Sequence, residues 1–429
     1  MSGEYDSEDM RAEWLKLAPA PPALQTGKRW HVFLSYRSVH RGWVLHLYDI
    51  LKDLGYEVFL DQFVLSPADR LVRSLEEGLT GSQSGVLIWS KRTEDSEWCR
   101  DEYEAMHTME KEGRDFFFVV ATLDDVKLPQ FASQKIYLDF SEQRAGPMGS
   151  NLLRLLWGLQ GKALPDAAVR LAAEVDEGVK EALAQIRALV DIGDGDGLVA
   201  LASSTSMAWV TSPLLGSVAA EGLISVDRPD EALTVVDRLR HDFPKAVRPK
   251  QLEALARARS GDWQGGQRIV AVLRQEGEED PETLGILART WFDRYESTGD
   301  KRHLAHSRDL YSAAFERFPD NFYVGINAAA KSLFLDEADR ASELAQRVEV
   351  LLAGGPHADY WAAATDGEAS LIQRKFEKAA ELYRHAVDAY PEATGSHAST
   401  WKQAKRLLAH LDPSDTQREA VAGAFAHLR

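Results

Sequence analysis

Cysteine is almost missing from this chain. Among 429 residues only Cys99 carries a thiol, which excludes an intrachain disulfide and a four-cysteine zinc site and suits a reducing cytoplasm. Cys99 has no histidine partner near it in sequence and reads as a small buried residue rather than a nucleophile. Positive charge is also short: 50 Lys and Arg stand against 67 Asp and Glu, a net charge of −17. A field of that sign repels phosphate backbones, so nucleic acid is not expected as the primary ligand. No G-x-x-x-x-G-K-[ST] occurs and the 12 histidines include no HExxH pair. Neither a phosphate-binding switch loop nor a metal site is therefore expected. The first residues lack the basic-then-apolar order of a secretory leader. Residues 1–28 are acidic, then Pro/Ala-rich, and read as a flexible segment.

Long apolar runs are scarce too. Residues 197–220 carry no charge and could span a bilayer by length. Seven of these 24 residues are Ser or Thr, and Pro213 divides the run. It reads as two buried helices meeting near Ser212-Pro213, with no membrane span expected.

What is present divides near residue 163 by periodicity. Before that point, apolar runs of strand length (30–36, 57–60, 85–90, 116–122, 135–140) alternate with helical stretches (41–54, 69–80, 97–112, 149–160). This alternation predicts an α/β domain with a five-stranded parallel sheet covered on both faces, of flavodoxin-like type. Ligands of such folds sit at the carboxyl ends of the strands, here the loops starting at Ser35, Asp61 and Ser90. Residues 1–163 are expected to fold by themselves.

From 165 to 429 strands disappear and the pattern is Ala- and Leu-rich helices. Small residues recur at 232, 266, 307, 341 and 379, steps of 34, 41, 34 and 38, and Pro244, Pro319 and Pro391 each follow an anchor by twelve. A period near 34 with small residues where helices touch predicts an all-α, tetratricopeptide-like solenoid. Gly367 fits the small position of a first helix, and the long step is absorbed by a loop at 297–302. Gly193–Gly197 (GDGDG) reads as a flexible loop, since it follows a helix and lacks the twelfth-position Glu of a calcium loop. A stacked array of this kind offers a concave face to peptides or partner chains.

The first domain carries three motifs: HVFLSYRS (31–38), FLDQFVLSPADR (59–70) and SEWCRDEYEAM (96–106). Together they resemble the successive signatures of Toll/interleukin receptor (TIR) domains, over about 29–162, a third of the chain. The α/β flavodoxin-like fold is what such a resemblance implies. Many TIR domains cleave NAD at the nicotinamide–ribose bond, and others are adaptors that assemble with one another. By resemblance, Glu102 is the catalytic acid of the WxxxE pattern. Ser35, Tyr36, Arg37, Asp61, Leu65 and Trp98 are the implied substrate contacts, with turn capping the alternative role for Ser35 and plain core the alternative for Trp98. Three departures stand out: Pro67-Ala68 replaces the usual Pro-Gly, His31 replaces a common Asp, and Leu156-Trp157 only loosely replaces the Phe-Trp box.

The residues themselves single out Glu102. Seven carboxylates lie between 95 and 112, and most must be solvated surface charge. Glu102 stands four after Trp98, so both share one helix face. A carboxylate beside an aromatic wall suits glycosidic cleavage, where an oxocarbenium-like ribose must be stabilised. Arg37 presents a fork suited to a pyrophosphate.

The expectation is thus an NAD glycohydrolase or cyclase with NAD as substrate and no cofactor. It is cytoplasmic, homo-oligomeric through its TIR domains, and bound at its repeats by a protein or peptide partner. Anti-phage or immune signalling is the setting that the resemblance implies. The alternative is a non-catalytic TIR scaffold.

Overall fold

The computed structural model describes residues 14, 16–37, 40–60, 71–90, 97–111, 116–124, 137–141, 143, 146–353, 360–391 and 393–428, and within it the side chains of 71–75 and 97–101 are left aside. The first domain is a five-stranded sheet, β1 (Trp30–Ser35), β2 (Val58–Phe59), β3 (Ser82–Trp89), β4 (Phe117–Thr122) and β5 (Tyr137–Asp139), in the order β2-β1-β3-β4-β5. Every pairing is parallel, with Phe33 opposite both Phe59 and Gly85 and Ile88 opposite Ala121. Parallel neighbours require crossovers, and α1 (Arg41–Asp53), α2 (Leu71–Thr80) and α3 (Glu97–Lys111) provide three of them, while α4 (Gly149–Gly158) follows β5.

Strand side chains alternate between two cores, as the pleat demands. Val32, Leu34, Val86 and Ile88 pack with Val44, Leu47 and Leu51 of α1 and with Leu152 and Leu156 of α4. Phe33, Phe59, Leu87 and Trp89 face the other way, onto Leu79 of α2 and Tyr103, Met106 and Met109 of α3. Both faces are buried, which is why the strands read as continuous apolar runs. Within 1–28, Trp14 and residues 17–19 pack on the first domain, whereas residues 22–27 are exposed. Trp14 is buried in the α1/α4 core, Tyr56 donates its hydroxyl to Pro19 O at 2.9 Å, and Trp157 donates Nε1 to Leu17 O at 3.1 Å. An indole among acidic residues was the one sign of this.

His31 explains its own departure from the family pattern. Its Nδ1 accepts from Glu57 N at 2.8 Å and its Nε2 donates to Pro22 O at 2.9 Å. Burial lowers its pKa, so a neutral ring pins β1 to the β2 edge and to the incoming chain.

Among the described residues after 165 every regular element is a helix. α5 (Asp166–Asp191) belongs to both halves. Its Ala168 and Ala172 complete the α1/α4 core, whereas Val175, Val179, Ala182 and Ile186 enter the next one. Two short helices, α6 (Gly195–Ala202) and α7 (Met207–Val210), lead into five helix pairs. These are α8 (Leu214–Ser225) with α9 (Pro229–Asp242), α10 (Val247–Arg259) with α11 (Trp263–Gln275), α12 (Pro281–Thr298) with α13 (Lys301–Arg317), α14 (Phe322–Phe334) with α15 (Ala338–Leu352), and α16 (Tyr360–Ile372) with α17 (Phe376–Ala389). α18 (Thr394–Leu411) and α19 (Asp415–Gly423) follow.

The anchors of the sequence repeat sit where paired helices cross. Ala232, Ser307, Ala341 and Ala379 are fully buried in second helices. Ser307 donates to Ala288 O at 2.7 Å, and a Cβ at Gly266 would come within 2.5 Å of Ala254 O. Each pair turns through one left-handed residue: Asp227, Gly261, Gly299, Asp336 and Arg374. The GDGDG stretch is not a loop. Asp194 caps α6, accepting from Gly197 N at 2.8 Å, so its last three residues are helical. Among the described residues no helix is long and apolar enough to cross a membrane.

Candidate active site

In this strand order the winding switches between β1 and β3, and in open parallel sheets the crevice that takes ligands lies at the carboxyl ends of the strands at such a switch point. Two serines stand there: Ser35, the last residue of β1, and Ser90, directly after β3. Both are buried. β1 ends where its apolar run gives way to Tyr36 and Arg37, which are half-buried. Helix α3 begins beyond β3 and brings Glu102 back over the crevice. Tyr103 and Met106 hold that helix on the sheet, and this leaves the half-buried Glu102 at its rim.

Ser35 Oγ donates to Glu102 Oε2. The pair joins the end of β1 to the first half of α3 and orients the carboxylate. Next to it, His40 Nε2 meets Ser90 Oγ at 2.6 Å, so the turn after β1 is tied to the end of β3. Tyr36 accepts a hydrogen bond at its hydroxyl from Arg41 Nη1, 3.1 Å away. Among the described residues the crevice therefore combines an oriented carboxylate, two hydroxyls, an imidazole and a phenol.

Of the residues expected at the site, Ser35, Tyr36, Arg37 and Glu102 lie at this one crevice. Trp98 is in the first turn of α3, its side chain outside the described residues, as is that of Cys99. Asp61 and Leu65 lie outside the described residues. His40, Ser90 and Arg41 were not among the residues expected to contact substrate, though Ser90 was read as the start of a ligand-bearing loop. The predicted strand end at Ser90 placed one of them, but nothing local in sequence marks the other two.

Comparison with known proteins agrees with this topology. Residues 32–155 match the family model of the TIR domain, and residues 228–335 match that of the Tetratricopeptide Repeats-Sensor family. The chain is 38% identical over 71 residues to the NAD(+) hydrolase TcpA of Theionarchaea archaeon, covering 17% of this chain and 22% of that protein. It is 36% identical over 64 residues to the NAD(+) hydrolase PdTIR of Paracoccus denitrificans, covering 15% and 21%. It is 27% identical over 96 residues to the probable 2' cyclic ADP-D-ribose synthase TcpB of Brucella melitensis, covering 22% and 38%. The chain thus spans well under half the length of these curated relatives. A crystal structure of a thermophilic TPR protein from Thermus thermophilus aligns over 46% of this chain and 98% of that one, at 15% identity and a TM-score of 0.36.

Proposed function

We propose that this chain, with a TIR domain over residues 32–155 and sensor repeats over 228–335, cleaves the nicotinamide–ribose bond of NAD. The observation that carries this reading is the Ser35–Glu102 pair at the β1/β3 crevice. The likeness to NAD hydrolases supports it.

The chemistry asks little of a general acid. The nicotinamide ring is cationic in NAD, so the bond electrons move onto its nitrogen and it leaves neutral, with no proton required. The ribose is left electron-deficient at C1. The Glu102 carboxylate stabilises that charge, through space or by attack at C1. Ser35 holds the carboxylate at a fixed angle, so less reorganisation is needed at the moment of bond breaking. Water then adds at C1 and releases one proton, giving ADP-ribose. If a nucleophile within the same nucleotide arrives first, the product is cyclic. Arg37 carries the positive charge suited to the pyrophosphate.

In this proposal the repeats bind a protein or peptide, and that binding or TIR-to-TIR assembly switches on turnover. Incubation of the full-length protein with NAD, with chromatography of the products, tests it. Free nicotinamide together with ADP-ribose or a cyclic form is expected. Intact NAD in the presence of assembled protein would leave the scaffold reading.

A further inference from the structure

The two halves of the chain meet through α1, the helix that directly follows the Ser35–Arg37 strand end. Its first residue, Arg41, is 6% exposed. One guanidinium nitrogen donates to the Tyr36 hydroxyl at 3.1 Å, and another lies 3.2 Å from Asp280 Oδ2, in the sensor repeats. Asp280 is fully buried and cannot follow a moving arginine. It is the cap of α12, where Oδ1 accepts from Glu282 N at 2.8 Å and Thr283 N at 3.0 Å, and Oδ2 accepts from Thr283 Oγ1 at 2.6 Å. Burial would raise its pKa, but Arg41 and the Thr283 hydrogen bonds outweigh that and hold it below the ordinary value.

Two turns further along α1, the buried Asp49 caps a second sensor helix, accepting from Val247 N at 2.9 Å and Arg248 N at 3.2 Å at the start of α10. Leu45 packs with Val247 and Leu273 between these two points. α1 is thereby clasped by the N-termini of α10 and α12, the first helices of consecutive repeats. The clasps are eight residues apart, about 12 Å along a helix. Solenoids change shape by small rotations between neighbouring repeats, and such a rotation alters the α10–α12 spacing that α1 spans. A rigid helix cannot stretch, so the mismatch falls on the side chain that bridges at its end.

We propose that Arg41 is a positioning residue that couples the geometry of the sensor repeats to the substrate site, by holding Tyr36 and Asp280 at once. This rests on the NAD-cleavage reading and adds to it the route by which the repeats control the site. With the repeats as described, Asp280 holds Arg41 and Arg41 holds the Tyr36 hydroxyl in the crevice. When α12 shifts relative to α10, the guanidinium keeps one partner and loses the other.

The test is a double-mutant cycle in the full-length protein with Tyr36→Phe and Asp280→Asn. Asparagine still caps a helix, so the second change removes the charge and spares the fold. Each single variant is expected to raise KM for NAD about tenfold with kcat within about twofold, the size of one lost charge-assisted hydrogen bond. The double variant is expected to match Tyr36→Phe alone, because both act through Arg41. Arg41→Lys, which keeps the charge but not the fork, should behave like Asp280→Asn. Multiplying effects in the double variant, about a hundredfold, would overturn the proposal. Hydrogen exchange of residues 35–41 supplies a readout that needs no turnover: Asp280→Asn should speed it, and unchanged exchange would also overturn the coupling. A protein that does not consume NAD but shows the faster exchange would refute the NAD reading and keep the coupling.

Discussion

Ser35 and Glu102 are 67 residues apart in sequence and joined by a hydrogen bond from the serine hydroxyl to the carboxylate. The serine closes a strand and the glutamate lies on the helix after the neighbouring strand. The sheet order is what brings them together.

Replacing Glu102 by glutamine keeps the shape and removes the charge. NAD consumption should fall by ~10²–10³-fold, with circular dichroism unchanged. Ser35→Ala keeps the charge but frees the carboxylate to rotate, and should cost about tenfold in kcat. Wild-type turnover in Glu102→Gln would move the chemistry to another acid, with Glu97 or Asp101 the next to test.

Much of this site was legible in sequence because strand ends are marked by the loss of apolar residues. HVFLS ends in polar residues, and GVLIWS ends in Ser90. Glu102 was separable from its acidic neighbours only through the WCRDE pattern. The domain joint was not legible. Arg41 and Asp49 look like solvated charges on an amphipathic helix, and their partners lie about two hundred residues downstream, at the starts of α12 and α10. Asp280 reads as an ordinary helix cap, which it also is. The GDGDG run misled because three glycines suggest a loop, while Asp194 recruits them into a helix start. The left-handed turns at Asp227, Asp336 and Arg374 escaped notice because these residues carry no glycine signal.

The joint should respond to pH through Glu278. This carboxyl is buried, and burial first, then Asp280, push its pKa up to about 9; Asp49 adds to the push, while Arg41 and Lys250 oppose it. The folded chain then keeps a proton that the unfolded chain releases at an ordinary pKa of 4.5. The stabilisation is complete below that value and is lost as pH climbs to about 9, with a slope of at most ~1.4 kcal/mol per pH unit. Melting temperature should fall over this range in the native protein and stay flatter in Glu278→Gln. Parallel curves would show that Glu278 does not titrate there.

Gly266 sets the approach of α10 to α11. A methyl group there would meet the Ala254 carbonyl oxygen at 2.5 Å, and the backbone cannot yield without separating the helices. Gly266→Ala should cost ~1–3 kcal/mol in denaturant unfolding. Gly423→Ala, whose Cβ would meet nothing within 4 Å, is the control and should be neutral or mildly stabilising. Equal midpoints for the two variants would remove the close approach as an explanation of the small-residue repeat.

The expected independence of residues 1–163 needs amending at its cut. Ala168 and Ala172 of α5 complete the core of the sheet domain, and the Asp176 carboxylate accepts from Ser150 N at 3.0 Å at the start of α4. A fragment ending at 163 should melt several degrees below one ending at 191, as expected for losing ~1–2 kcal/mol of burial and capping. Calorimetry of the two fragments checks this, and indistinguishable melting would mean that α5 adds nothing to the first domain.

The clasp on α1 also bears on how such a protein diversifies. It draws on the N-termini of α10 and α12, which open the second and third of the helix pairs. Stacked repeats interact chiefly with their neighbours, so the later pairs, α14 with α15 and α16 with α17, can vary in sequence, or be exchanged for others, while the pairs that begin with α10 and α12 keep their grip. A change in the later pairs then leaves the contacts of α1 with α10 and α12, and the crevice built by Ser35 and Glu102, in place.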